Sequence, residues 1–441
     1  MTTVVLFRDD LRVTDHPALH EAVSHGEPVV CLYVLDEESE GVRPLGGAAK
    51  WWLHHSLTSL ASDLSELGVP LTLRRGPAGK VVPDVVRETG ADRLLWNRRY
   101  GGPERAVDAG LKEWAGENGV EAHSYAGSLM FEPWTVSTQN GDPYRVFTPF
   151  WRACTSGPPP REPYPAPSSI DHADPAPASE DLVDWELLPT HPDWSGGLAR
   201  TWTVGERAAH ERLDEFRDER LPRYTQDRDV PARPATSGLS PHLRWGEISP
   251  YTVWHTALER AENPGKFLTE VGWREFSWYN LYVHPDMATE NINPKFDAFP
   301  WPPLDEDVLA AWQMGRTGIP LVDAGMHELC ETGTMQNRVR MVVASLLAKN
   351  LLIDWRLGEQ WFWDTLVDAD PASNPHNWQW VAGCGTDAAP YFRIFNAETQ
   401  QKKFDPDFVY VDRWNGRQEG VEPIVDLKES RAHALELFKS L

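Results

Sequence analysis

Long apolar runs are what this 441-residue chain lacks most plainly. No stretch approaches the roughly 20 apolar residues that span a bilayer, so no membrane partner is expected. The opening MTTVVLFRDD puts acids directly behind a very short apolar run, and so reads as a buried first strand and not as a signal peptide. Cysteine is scarce. Cys31, Cys154, Cys330 and Cys384 are scattered, with no CxxC pair and no Cys/His spacing of a zinc site. Isolated thiols of this kind fit a reducing cytoplasm, which is the expected location. Positive charge is short as well: 42 Lys and Arg face 66 Asp and Glu, a net of −24. That excludes a body coated in positive potential, although a basic groove on an acidic body stays compatible with it. Between Thr155 and Trp194, eight acids accompany a single arginine, Arg161. Glycine-rich phosphate cradles are also missing, with no GxGxxG after the first strand and no GxxxxGK[ST] anywhere.

What the chain has in excess is tryptophan, with 21 copies concentrated in its C-terminal half. Packing of large helices accounts for most of them. Over residues 3–124 short apolar runs (Val4–Phe7, Val29–Leu35, Leu71–Leu73, Leu94–Trp96) alternate with helical patterns over 48–67 and 103–118. Alternation of strand and helix implies a parallel, Rossmann-like sheet with right-handed crossovers. Around 157–178 the pattern becomes SGPPPREPYPAPSSIDHADPAPAS, an extended connector, because proline at this density continues neither helix nor sheet. Helical patterns then cover 205–221, 250–262, 264–283, 306–315, 321–331 and 336–354. The expected architecture is an α/β domain over 1–130, a proline-rich linker over 131–200, and an all-α domain over 201–441.

Three segments carry chemistry. RPATSGLS (Arg233–Ser240) gathers Thr236, Ser237 and Ser240 around Gly238 ahead of a helix, which suits phosphate binding or a plain capping turn. In FLTEVGWREFSWY, Glu270, Trp273 and Arg274 share one helix face. They could hold a base edge, a base plane and a phosphate, or form a surface ion pair beside a core tryptophan. QNRVRM sets Asn337, Arg340 and Met341 on one face with Arg338 turned away. Asp368 and Asp370 of LVDAD offer carboxylates to a buried arginine.

With FRDDLRVTDHPAL, TGIPLVDAGMHEL, MQNRVRMVVASLLAKNLLIDW, NWQW and GTDAAPYFRIFN, the chain resembles the photolyase/cryptochrome family over nearly its whole length. Within that family it looks most like a class I cyclobutane pyrimidine dimer photolyase. The resemblance implies that the helical domain binds FAD, reduced in the active form. Tyr224, Thr236, Ser237, Gly238, Leu239 and Ser240 match the stretch around its phosphates and ribose. Arg340 and Asp368 match the ion pair beside the isoalloxazine, with Ala369, Asp370 and Arg274 among the cofactor contacts. Asn374 matches the residue facing flavin N5. Trp378, Trp355 and Trp301 match a tryptophan chain that carries electrons from the surface. An antenna chromophore is left open between a deazaflavin, methenyltetrahydrofolate and none, because Glu104 matches a folate ligand while Pro103 replaces the adjacent Asn.

For substrate, the resemblance implies UV-damaged DNA bound by a monomer. Glu270, Trp273, Asn337, Met341 and Trp380 match the pocket for a flipped-out dimer. Arg274, Arg338, Arg393 and Gln400, with Arg223, match the DNA-facing rim. Relatives acting on (6-4) photoproducts carry histidines where this chain has Asn337 and Met341, so that reaction is disfavoured. A cryptochrome-type blue-light receptor is the main alternative, and a dark flavin oxidoreductase would need a nicotinamide site that the sequence does not show. Asp9, Thr334, Gln336 and Phe267 depart from residues common in the family.

Overall fold

A computed structural model describes residues 2–260, 264–388, 392–418 and 420–441. Residues 261–262, expected to end a helix, and residues 389–391 of GTDAAPYFRIFN lie outside that set.

Continuous apolar strands must be covered on both faces, and they are. Strands β1 (Thr3–Phe7), β2 (Val29–Leu35), β3 (Leu71–Arg75), β4 (Arg93–Asn97) and β5 (Glu121–Tyr125) form one parallel sheet in the order β3-β2-β1-β4-β5. Alternate residues part to opposite sides. Val5, Phe7, Cys31 and Tyr33 pack under helix Gly47–Glu66, while Val4, Leu6, Val30 and Leu32 pack under helices Ala78–Thr89 and Gly102–Glu117. The fifth strand was not expected. Its sequence EAHSY has no apolar run, because as an edge strand it is only half-buried.

The proline-rich connector is extended, as its composition requires, but it is pinned. Val29 N–H donates to the Asp171 carbonyl (2.7 Å), and Ile170 N–H to that of Leu67 (2.8 Å). Within the span expected as linker, helix Phe147–Thr155 forms and packs on the helical body. Its Phe150 ring lies 5.0 Å from Phe276 and 4.9 Å from Tyr279.

Two expected helices end early. The pattern over 336–354 yields Asn337–Ser345 and one wide turn, Leu346–Asn350, closed by Leu351 N–H on the Leu346 carbonyl (2.9 Å). Leu352 then adopts φ +54, and Asp354 caps the next helix, Trp355–Thr365. Likewise the pattern over 205–221 yields Glu206–Glu215 followed by a wide turn, Phe216–Arg220. Apolar periodicity persists through both turns, so the pattern alone did not reveal them.

In open α/β sheets the carboxyl edge at the β1/β4 switch normally receives a ligand. Here it grips the helical body. Leu11 N–H donates to the Trp245 carbonyl (3.0 Å), and buried Arg12 donates to the Gly246 carbonyl (2.8 Å). Gly246 (φ +65) has no room for a side chain, since a Cβ there would sit 2.2 Å from the Asp9 carbonyl oxygen. Asp9 itself pairs with Arg244 (2.6 Å), whose Nε donates to the Ala369 carbonyl (2.9 Å). Among the described residues no helix is long and apolar enough to cross a membrane, and no cluster of three metal-ligating side chains occurs.

Candidate FAD and substrate cavity

The helical body encloses a cavity of about 780 Å³, within the range of cofactor and ligand pockets. The described residues lining it include eight arginines against four carboxylates. A basic cavity inside an acidic body therefore answers the net charge of −24. A second cavity of about 350 Å³ runs beside Trp301, Leu304 and Leu352, with two carboxylates, Asp305 and Asp354, and no basic side chain among its described lining residues. The larger one carries the chemistry.

At its floor Arg340 and Asp368 form a two-pronged pair, Nη1–Oδ1 3.1 Å and Nη2–Oδ2 2.9 Å. Such a fork fixes geometry as well as charge. Arg340 Nε donates to the Met335 carbonyl (2.7 Å) and Nη2 to Thr334 Oγ1 (3.1 Å). Thr334, a departure from the family pattern, is thus a partner of this arginine. Asp370 is buried and accepts from the N–H groups of Ala372 and Ser373 where helix Ser373–Ala382 begins. Burial raises its pKa; the hydrogen bond from Ser373 and the charges of Arg274 and Arg244 oppose that rise. Arg274 lines the cavity while its Nη1 is committed to the Ser128 carbonyl (2.9 Å) and Glu275 (3.2 Å). Buried Asn374 lines the cavity from the same helix.

At the other end Thr236, Gly238 and Ser240 line the wall beside Arg212, Arg220 and Arg233. Gly238 has φ +66, and a Cβ on it would come within 2.7 Å of Arg212 Nη1. Buried Arg212 Nε has no hydrogen-bond partner. An unpartnered guanidinium N–H beside hydroxyls and further arginines fits a diphosphate, so the residues present suit FAD. Tyr224, Ser237 and Leu239 do not line the cavity. Tyr224 and Leu239 are held in an aromatic and aliphatic cluster, with Tyr224 edge-on to Phe216 and Phe267, and Ser237 Oγ accepts from Leu239 N–H (3.3 Å).

The rim is built differently. Glu270, Trp273, Asn337, Met341 and Trp380 all line the opening. Trp273 stacks on Phe147, with centroids 3.9 Å apart and planes at 11°. The Glu270 carboxylate is engaged by Arg228 and by Lys266 (2.9 Å), not by Arg274. Asn337 begins its helix, and Met341 follows one turn later. Gln336, the other flagged departure, caps this helix through Arg338 N–H (2.6 Å), and its Nε2 donates to the Arg228 carbonyl (2.6 Å). Gln336 and Arg228 were not assigned roles from the sequence. No local pattern links residues 108 apart. Trp380 lies 6.1 Å from Phe395 and under Arg393 (5.3 Å), and its buried Nε1 has no partner. Arg393 and Arg223 are exposed, and Arg338 pairs with Asp229 (2.9 Å). Gln400 presents a buried Oε1 without a partner.

Of the three tryptophans expected in a chain, Trp378 lines the cavity, edge-on to Phe362 (5.0 Å) and Trp312 (6.2 Å). Gly358 leaves it room: a Cβ there would lie 2.2 Å from the Trp378 ring. Trp355 is buried and donates Nε1–H to Asn291 Oδ1 (3.0 Å); Trp301 is half-buried beside Phe299 (4.4 Å). Glu104, the expected antenna ligand, stands in the first turn of helix Gly102–Glu117, folded back towards Gly101.

A sheet domain docked on a helical body around a basic cavity with an arginine–carboxylate floor defines a nucleotide-cofactor protein of two-domain build. The chain belongs to the DNA photolyase family, which cryptochromes share. Residues 3–168 match the family DNA photolyase, and residues 267–423 match the FAD binding domain of DNA photolyase. The deoxyribodipyrimidine photo-lyase of Agrobacterium fabrum is 50% identical over 95% of this chain and 88% of its own length. Cryptochrome-1 of Arabidopsis thaliana is 36% identical over 93% of this chain and 62% of its own. A crystal structure of a bacterial class III photolyase from Agrobacterium tumefaciens superposes with a TM-score of 0.95 at 46% identity, covering 100% of this chain and 97% of that one. That solved relative is a class III photolyase, whereas the sequence motifs resembled class I.

Proposed function

We propose that this protein is a light-driven DNA photolyase that splits cyclobutane pyrimidine dimers, with FAD on the cavity floor and the dimer at the rim. One observation carries the reading. A single cavity joins a pre-paired arginine–carboxylate floor to an opening lined by Trp273, Trp380, Asn337 and Met341.

Bound by these residues and reduced, FAD would supply light-driven one-electron chemistry for opening the cyclobutane ring, with no net redox change. The chain's own residues do the rest. Arg212, Thr236 and Ser240 bind the diphosphate, and Arg340 with Asp368 fixes the ring system in one orientation. Trp273 and Trp380 offer apolar faces to the two fused pyrimidines turned out of the duplex, and damaged, poorly stacked bases are extruded most cheaply. Glu270 accepts from a pyrimidine N–H once Arg228 shifts to a neighbouring carbonyl, and Asn337 adds a donor and an acceptor. Asn337 and Met341 cannot act as general acids, which favours the dimer over the (6-4) lesion. Arg338, Arg393 and Arg223 steady backbone phosphates without reading sequence. Trp378, Trp355 and Trp301 pass electrons inward to restore the reduced cofactor. The protein acts as a monomer in the cytoplasm.

The test is direct. Reduced, FAD-loaded protein is given oligonucleotides carrying one cyclobutane dimer or one (6-4) lesion, in blue light and in the dark. Loss of the dimer alone, in light alone, is expected. Unchanged dimers in light would favour the signalling role of the cryptochromes.

A further inference from the structure

Lysine is almost never fully buried unless it is paired. Lys349 is the exception in this chain. It sits on the wide turn Leu346–Asn350 at 1% exposure, and among the described residues no carboxylate reaches its ammonium. Nζ donates to the Arg393 carbonyl (2.7 Å) and lies 3.6 Å from the centre of the Phe392 ring. Burial pushes the Lys349 pKa down to about 7; Cys384 opposes the fall and the Arg393 charge adds to it. Burial in turn pushes the Cys384 pKa up to about 12, so near neutral pH it is an uncharged thiol. Arg393 is then the one charge bearing on this lysine among the described residues.

What the lysine holds is a two-sided segment. Residues 392–396 belong to no helix or strand. On the inner side Phe392 stacks on Phe438 (4.3 Å, planes at 9°), and Phe395 N–H donates to Ser345 Oγ (2.9 Å). On the outer side Arg393 is exposed, with its guanidinium 5.3 Å from the centre of the Trp380 ring. Trp380 in turn packs against Phe395 (6.1 Å) and lines the cavity opening. A lysine inside the helical body thus grips the backbone of the residue whose side chain stands at the rim.

We propose that Lys349 is a positioning residue for DNA: by holding the Arg393 carbonyl it aims the Arg393 guanidinium at a backbone phosphate beside the cavity opening, although it touches no phosphate itself. The inference rests on the reading of this rim as the DNA-binding face. Without the ammonium the Arg393 carbonyl loses its donor and regains one by turning to water, which carries the guanidinium off Trp380. Ser345 holds Phe395 N–H whatever stands at position 349, so Trp380 keeps its neighbour and the opening keeps its shape. The effect is therefore confined to the phosphate contact and spares recognition of the lesion. It also follows pH. A charged donor makes a hydrogen bond about twice as strong as a neutral one, and the charge is present below pH about 7 and lost above it.

The experiment uses the full-length, FAD-loaded protein and fluorescence anisotropy. The probes are an oligonucleotide with one cyclobutane dimer and its undamaged counterpart, each titrated across salt and pH. Lys349→Met, which fills the same space without the charge, is compared with Arg393→Ala and with the double variant. Lys349→Met should flatten the slope of log affinity against log salt by about one unit for both probes, the share of one phosphate contact. The ratio of the two affinities should stay as it is. In the Arg393→Ala background Lys349→Met should change the slope no further, since residues acting through one contact are not additive. A second measurement leaves Lys349 in place: the unaltered protein should lose affinity as pH rises through about 7, and Arg393→Ala should lose less. An unchanged slope in Lys349→Met, a further full unit lost in the double variant, or an equal pH response in Arg393→Ala overturns the inference. If Arg393→Ala itself leaves the salt slope unmoved, the rim reading at this residue fails, and the inference falls with it.

Discussion

The floor and the rim of the larger cavity are built on opposite plans. On the floor every charged group already has its partner: Arg340 holds Asp368, Met335 and Thr334, and Asp370 holds two backbone N–H groups. At the rim the partners are exchangeable. Glu270 is taken by Arg228 and Lys266 on the half-exposed face of its helix, and Arg393 and Arg223 stand in solvent. A fully partnered floor suits a resident group that stays, because no reorganisation is needed at each turnover. A rim of provisional ion pairs suits a visitor, since each pair can be traded for a contact of similar energy.

The contrast is most sharply tested where the largest effect is expected. Asp368→Ala leaves Arg340 unpaired in a cavity, and breaking a largely buried pair costs about 3 kcal/mol or more. FAD affinity should fall by about 100-fold, seen as colourless purified protein and by calorimetric titration. Equal FAD affinity would mean that the floor is not where the cofactor sits. Glu270→Gln should do the reverse, leaving FAD bound and weakening dimer-containing DNA by about tenfold, the worth of a charged hydrogen bond. Fluorescence anisotropy measures this, and a loss of FAD instead would erase the distinction between the two regions.

Acid provides a third probe. His376 is buried beneath the floor with Ser277 on Nδ1 (2.8 Å) and Thr386 on Nε2 (2.9 Å), and burial pushes its pKa down to about 4. Its folded value lies below the unfolded one of about 6.5, so the unfolded chain binds the extra proton first. Stability should therefore fall as pH drops from about 6.5 towards 4. His376→Gln should flatten that limb of a thermal melting series.

Gln336→Ala removes a helix cap, which costs about 1 kcal/mol, and frees the Arg228 carbonyl. A fall in melting temperature of a few degrees with FAD content unchanged is expected, with weaker dimer binding as the smaller signal. The slope of DNA affinity against salt is the finest measure. Each rim arginine that meets a phosphate contributes about one unit, so Arg393→Ala should reduce the slope by about that much.

How far the sequence reached follows the same division. The sheet was legible because β1 and β2 are unbroken apolar runs; β5 was not, because an edge strand need not be apolar. Arg340 and Asp368 could be paired from a buried-arginine argument. Arg43 with Glu359, 316 residues apart, and Arg228 with Glu270 could not, since neither pair leaves a local pattern. Thr334 and Gln336 looked like departures until their partners, Arg340 and the Arg228 carbonyl, came into view. Tyr224 and Leu239 show the converse, residues of the right stretch that packing draws into an apolar cluster.

The central claim is that floor and rim face each other across one cavity, so that a seated dimer must touch the flavin. Titrating FAD-loaded protein with an oligonucleotide carrying a single cyclobutane dimer, while following flavin absorption, tests it directly. The spectrum should shift and saturate at one oligonucleotide per flavin, and the undamaged oligonucleotide should leave it unmoved. Tight binding of the damaged strand with an unaltered flavin spectrum would contradict the account.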